Sequence, residues 1–178
     1  MDTRDLLTDH AERVRELYAA ARADLDLATA HQRPTTPGSA GPGSSGASGN
    51  PIVWLLWHTA RVQDDHVAGL AGTDQAWAGW ESRFGLPLDT GDIGYGHTSE
   101  QVDSVRVDDL DLLVEYHRAV HALTLDYLAR VDADELDRVV DEHWDPPVTA
   151  GVRLVSVIGD CLQHLGQAAY VKGLLAAG

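Results

Sequence analysis

Through the first thirty residues the apolar positions Leu6, Leu7, Val14, Leu17, Tyr18, Ala21, Leu25 and Ala28 recur every three or four residues, with charged side chains between them. That period predicts an amphipathic helix from Asp5 to about Ala30. Asn50 followed by Pro51 is a start signal, because Asn caps orphan N–H groups and Pro is pre-set for the first helical position. A second helix is predicted from Pro51 to about Leu70, ending near Gly72. Asp108 and Asp109 open a third, to about Arg130, whose stripe is Leu113, Tyr116, Val120, Leu123 and Tyr127. Thr149 is a cap for a fourth helix, from Gly151 to about Ala176. No segment alternates convincingly with the period of a strand, and no internal repeat is visible. The expectation is an all-α fold of four long helices in one domain, since a core built from 178 residues can bury most of the apolar surface of the chain.

Two connections differ in kind. Residues 34–49 are Pro, Gly, Ser, Thr and Ala alone, which offers almost nothing to bury, so a mobile loop without a functional part is expected there. Residues 73–107 also contain several glycines, but they carry Trp77, Trp80, Phe84 and Tyr95 as well. A long connection so aromatic is expected to pack onto the helices, and such loops often cover a site.

Charge and composition remove several classes of function. Against 28 Asp and Glu stand 13 Lys and Arg, a formal charge of −15 that repels nucleic-acid phosphate and anionic lipid. No apolar run is long enough to span a membrane, and the N-terminus has no apolar stretch before a small-residue cleavage site. Cytoplasm is the expected location. Cys161 is the only cysteine, so neither an intrachain disulfide nor a cysteine-based zinc site is available. It is expected to act as a small hydrophobe. Lys172 is the only lysine among the 13 basic residues, a bias of high-GC genomes.

The chemistry is concentrated on two helices. In WLLWHTARVQDDH, Trp54, His58, Arg61 or Val62, and Asp65 lie along one side of the second helix. On the fourth, Asp160 and His164 are four apart in a segment that is mostly apolar all round, so both are expected to point inward. A buried carboxylate without a partner costs several kcal/mol, and a metal ion supplies that partner. A carboxylate and an imidazole one turn apart, with a His from a facing helix, make a three-ligand N,N,O set that leaves positions open for substrate. The donors suit Zn²⁺, with Ni²⁺, Fe²⁺ and Mn²⁺ as alternatives.

The pair of motifs, W-x-x-x-H as Trp54 to His58 and D-x-x-x-H-x-x-Q as Asp160 to Gln167, resembles the DinB and YfiT-like superfamily. GLPLDTGDIGYGHT and HWDPPVTAGVRLVSV are similar to its actinobacterial branch of mycothiol transferases. The resemblance implies a four-helix bundle in up-down-down-up order, with the metal on His58, Asp160 and His164. It also implies that the metal binds and activates a low-molecular-weight thiol, here mycothiol. A free thiol of pKa about 8.5 is mostly protonated at neutral pH, and coordination to zinc deprotonates it.

Around that centre, His97 and Tyr95 are candidate catalytic residues for proton transfer or hydrogen-bond donation. Arg83, Arg153, Trp54 and Gln167 are candidates for contact with the thiol cosubstrate or an anionic substrate. Trp54 and Trp57 are expected to brace the His58 helix against the aromatic loop. His117 and His121 lie beside the buried stripe of the third helix, and His66 sits near a helix end where a cation is favourable. The function expected is metal-dependent transfer of the thiol to a small electrophile, or a thiol-assisted isomerisation. The alternatives are a metal-dependent hydrolase or amidase on the same residues, and a non-enzymatic metal- or small-molecule-binding stress protein. A homodimer is expected from the resemblance.

Overall fold

The computed structural model describes residues 2–35 and 49–176, and these are mostly helical. Helix α1, Thr3–Arg22, opens on a reciprocal cap in which the Asp5 amide donates to Asp2 Oδ1 at 2.8 Å and the Asp2 amide to Asp5 Oδ2 at 3.0 Å. It stops eight residues before the sequence pattern does. Asp24 adopts φ +53°, which ends the helix, and Asp26 then caps a separate short helix α2, Leu27–His31, by accepting from the Thr29 amide at 2.9 Å. The apolar period ran on because Leu25 and Ala30 turn to the same core as α1.

Helix α3 spans Ile52–Ala71. Pro51, not Asn50, is its N-cap, and no side chain caps it; Gly72 closes it at φ +66°, a left-handed turn that favours glycine. From Ile52 to Asp64 every residue is buried, so α3 is enclosed on all sides by the rest of the fold. The connection from 72 to 110 is packed, as its aromatics predict. It holds a 3₁₀ turn at Ala76–Gly79 and two short helices, α4 (Glu81–Phe84) and α5 (Ser99–Ser104). Trp77 and Phe84 are buried, whereas Tyr95 is 91% exposed.

Helix α6, Asp111–Leu128, begins three residues later than the acidic pair suggests, because Asp109 accepts from the Asp111 amide and forms the turn that precedes it. Leu113, Tyr116, Val120 and Tyr127 are buried as predicted; Leu123 is only half-buried, while His117, His121 and Thr124 are buried. After α7 (Ala133–Asp137) comes an antiparallel pair, β1 (Val139–Asp141) and β2 (Val148–Thr149), with Val139 opposite Thr149. An alternating pattern had no length in which to show in strands of three and two residues. Helix α8, Ala150–Ala176, starts with the Val152 amide donating to Thr149 Oγ1 at 3.3 Å, the cap expected there.

Helix α3 packs against α6 and α8, and α1 packs against the same two. The apolar core lies between these four. Among the described residues no helix is long and apolar enough to cross a membrane. Most of the Gly- and Ser-rich loop expected at 34–49 lies outside the described residues.

Candidate metal centre

Helices α3 and α8 are packed along their length, and this contact carries His58 to Asp160 and His164. One ligand atom from each of the three lies within 4.8 Å of the others. The imidazoles of His58 and His164 meet edge to face with centroids 4.6 Å apart, and His164 Nε2 stands 3.5 Å from Asp160 Oδ1.

Each histidine is held by its other nitrogen. His58 Nδ1 donates to the Ile93 carbonyl oxygen, and His164 Nδ1 to Gln167 Oε1 at 3.3 Å. Both rings are therefore steered toward presenting Nε2, the arrangement by which ligating histidines are usually oriented. Trp54 stacks on the His58 ring at 4.5 Å and fixes its plane. Gly94, at φ +92°, lies so close that a Cβ there would come 2.7 Å from His58 Nδ1 and 3.0 Å from Trp57 Cζ3. Only glycine combines that conformation with that approach.

The electrostatics suit a cation. Burial lowers the pKa of His58 and favours its neutral, ligating form, although the bond to the Ile93 carbonyl and the charge of Asp160 pull the other way. For Asp160, burial works to raise the pKa, but the hydrogen bond and charge of His164 and the charges of His58 and His66 prevail, and the carboxyl is held below its ordinary value. His164 is correspondingly raised, chiefly by its hydrogen bond to Asp160. Asp160 Oδ2 is buried and, among the described residues, has no hydrogen-bond partner. Two imidazoles and a carboxylate, one of whose oxygens is buried without a partner among the described residues, are a donor set that a divalent transition metal would satisfy.

Asp160 and His164 do not point into the core as their apolar surroundings suggested. Their side chains are 39% and 18% exposed, and the residue directed inward from this turn of α8 is Cys161, which is buried. Burial raises the Cys161 pKa, so it stays a thiol. The two ligands instead stand on the flank of α8, where Asp160 and His58 line a cleft of about 490 Å³. Its wall is largely apolar, with Val62, Ile93, Val148, Val152 and Val157, and Trp144 and Tyr95 also line it.

The remaining candidates are distributed unevenly around this cleft. Tyr95 lines it, and so does Arg153, which donates to Asp141 Oδ2 at 3.2 Å and also lines a neighbouring cavity of about 570 Å³. Gln167 holds His164, and Trp54 holds His58. His97 is 3% exposed: its Nδ1 accepts from Trp54 Nε1 at 3.1 Å and its Nε2 donates to Asp92 Oδ1 at 2.9 Å, so neither nitrogen is free to meet a substrate. Trp57 stacks on it at 5.9 Å, the bracing expected of the tryptophans. Arg83 is paired with Glu115 at 2.8 Å, lies over the Trp80 ring, and is not among the cleft-lining residues.

Four residues were given no part in the site by the sequence reading: His66, Asp92, Ile93 and Arg61. His66 lines both the cleft and the neighbouring cavity rather than merely ending a helix. Its place was legible in principle, eight residues and so about two turns beyond His58. Asp92 and the Ile93 carbonyl act through backbone geometry that no side-chain pattern announces. Arg61 is fully buried, and a lone arginine inside the apolar run WLLWHTARV was the available signal.

The sequence matches the DinB superfamily over residues 10–168. The fold is similar to a crystal structure of a conserved protein from Enterococcus faecalis, with a TM-score of 0.85 and 34% identity over 100% of this chain and 99% of that one. No curated protein matches the sequence. A family match over nearly the whole length places the chain in the DinB superfamily.

Proposed function

We propose that this chain is a metal-dependent thiol S-transferase, or thiol-assisted isomerase, acting on a small electrophile, with mycothiol as the thiol and zinc as the metal. The observation that carries the reading is the site itself: the His58 and His164 imidazoles gathered with the Asp160 carboxylate, whose Oδ2 has no partner among the described residues, at the edge of an open, largely apolar cleft. Three protein ligands leave coordination positions on the cleft side, as in catalytic rather than structural sites. When bound there, the metal supplies the Lewis acidity that converts a weakly acidic thiol to its thiolate at neutral pH.

The chain's own residues do the rest. Ile93 and Gln167 hold the histidine rings, and Trp54 keeps His58 in plane. The valines and Trp144 exclude water and accept the apolar part of an electrophile. Arg153 is placed to pair with an anionic group on either reactant, and the Tyr95 hydroxyl is available at the cleft for hydrogen bonding. The pairings of α1, α3, α6 and α8 support an up-down-down-up four-helix bundle in one domain, and the long crossover from 72 to 110 suits parallel neighbours in that order. We further propose a cytoplasmic homodimer, the location being supported by a single buried thiol and the association by apolar side chains left exposed on α8.

The test is elemental analysis of purified protein followed by consumption of a small electrophile with and without thiol. Bound metal and strictly thiol-dependent turnover are expected. Turnover without thiol would favour a hydrolase on the same residues, and a protein that takes up no metal would overturn the reading.

A further inference from the structure

Arg61 lies three residues after His58 on α3 and is 0% exposed, yet nothing in the proposed chemistry uses it. A guanidinium is so buried only when its donors are satisfied. Its Nε donates to the Asp92 carbonyl at 3.2 Å and its Nη2 to the Thr90 carbonyl at 3.2 Å. Nη1 donates to Gln75 Oε1 at 2.8 Å and to the Tyr116 hydroxyl at 3.3 Å, and the group lies 4.6 Å from the Trp77 ring centroid. Asp64, 3.7 Å away, provides the opposite charge and accepts from the Ala76 and Trp77 amides and from Tyr116. One side chain of α3 thus fastens both the start and the middle of the long aromatic connection.

The middle is the part that touches the candidate metal ligand His58. Directly after Asp92, the Ile93 carbonyl receives His58 Nδ1. The Asp92 carboxylate accepts from the Gly94 amide at 2.7 Å and from His97 Nε2, and His97 in turn receives the indole N–H of the tryptophan stacked on His58. Both restraints on the His58 ring, on its edge and on its face, run through residues 92–97 and so through the carbonyls that Arg61 grips.

We infer that Arg61 is a positioning residue for the metal centre: by fixing the backbone at 90–92 it sets the Ile93 carbonyl that aims His58 Nε2 at the cleft. The proposal deepens the metal reading and rests on it only for affinity. A planar fork reaching two carbonyls and a carboxamide at once is what arginine supplies and lysine cannot. Arg61→Lys keeps the charge and loses the fork.

The experiment uses the full chain. In Arg61→Lys, Zn²⁺ affinity measured by chelator competition well below the unfolding temperature should fall about tenfold or more, the range typical when a ligand's outer partner is lost. In the metal-free protein, the His58 Nδ1–H resonance in ¹⁵N-edited spectra should lose its protection from exchange. Arg83→Lys, at an exposed pair, should change neither. An Arg61→Lys protein with a lower melting temperature but an unchanged His58 proton and unchanged Zn²⁺ affinity would reduce Arg61 to a structural residue and overturn the proposal. Should that variant not fold, hydrogen exchange of the unsubstituted protein decides: the Ile93 and Gly94 amides should open together with α3, and independent, easy opening would overturn it. If the chain binds no Zn²⁺, the functional reading fails while the proton and exchange measurements still decide the part played by Arg61.

Discussion

His58, Asp160 and His164 differ in how they are held, and so in what their loss should do. His58→Ala removes a buried ring stacked on Trp54, whereas Asp160→Ala and His164→Ala alter half-exposed groups on the flank of α8. All three variants are expected to lose stoichiometric metal by elemental analysis, while His66→Ala and His117→Ala retain it. Retention in all three ligand variants would dismiss the site. His117 has a different consequence. It is sandwiched against Tyr18 at 3.9 Å with Gln63 Oε1 at 3.3 Å, and burial, aided by the charges of His121 and Arg15, lowers its pKa from 6.5 to about 3. The folded state therefore binds fewer protons than the unfolded one, so this group's contribution is fully present above pH 6.5 and is lost as pH falls toward 3. Unfolding free energy should drop by up to about 1.4 kcal/mol per pH unit in that window from this one group. Denaturant titrations at several pH values should show a shallower acid slope in His117→Phe, and an equal slope would show that the ring is protonated in the fold. The ligand residues were legible in the sequence because a D-x-x-x-H in an apolar helix needs an explanation. The Ile93 carbonyl, Gly94 and Arg61 were not, since they act through backbone placement and long-range contact.

At the scale of elements, the long helices follow from periodicity, and the departures have local causes. The α1–α2 break rests on one left-handed Asp24 and one Asp26 cap, short-range features that leave the apolar pattern intact. The β1–β2 hairpin is too short to carry a pattern, yet Asp141, Trp144 and Val148 of this region line the cleft. It is tied to the end of α3 by Arg138, whose Nη2 donates to the Leu70 carbonyl at 2.8 Å and to Glu135 Oε1 at 2.7 Å. Tyr127 donates to the same Glu135 oxygen at 2.6 Å, and the Arg138 and Tyr127 bonds together lower the Glu135 pKa to about 2. These groups are partly solvated, so the ion pair itself contributes little and the carbonyl bond about 1 kcal/mol. Arg138→Met is expected to lower global stability by only about that amount. Its larger effect should be local: hydrogen exchange across 139–149 should quicken while α3 and α8 stay protected. Unchanged exchange there would mean that the hairpin is held by its apolar contacts alone.

For the whole molecule, the pairing of α1 and α3 with both α6 and α8 follows from four apolar stripes that must all be buried at once, and the sequence carried that much. It carried less about the outside of α8. Val155, Tyr170 and Leu174 are exposed there, although a helix face turned only to water has no need of them. Gly159 and Gly166 lie among them at helical spacing, and a Cβ at either would meet nothing within 4 Å among the described residues. Glycine in a helix interior costs about 0.5–1 kcal/mol relative to alanine. Among the described residues nothing packs against these glycines, and under the dimer proposal the partner that would use their small size is a second copy of α8. The prediction separates the two scales. Gly166→Gln should leave the monomer as stable or more so, because the side chain has open space and better helix propensity. In the dimer it should obstruct the contact and weaken association at least tenfold in sedimentation or light-scattering titrations. A wild-type chain that is monomeric at micromolar concentration would end the dimer proposal. A variant that dimerises as tightly as wild type would place the interface elsewhere on the molecule.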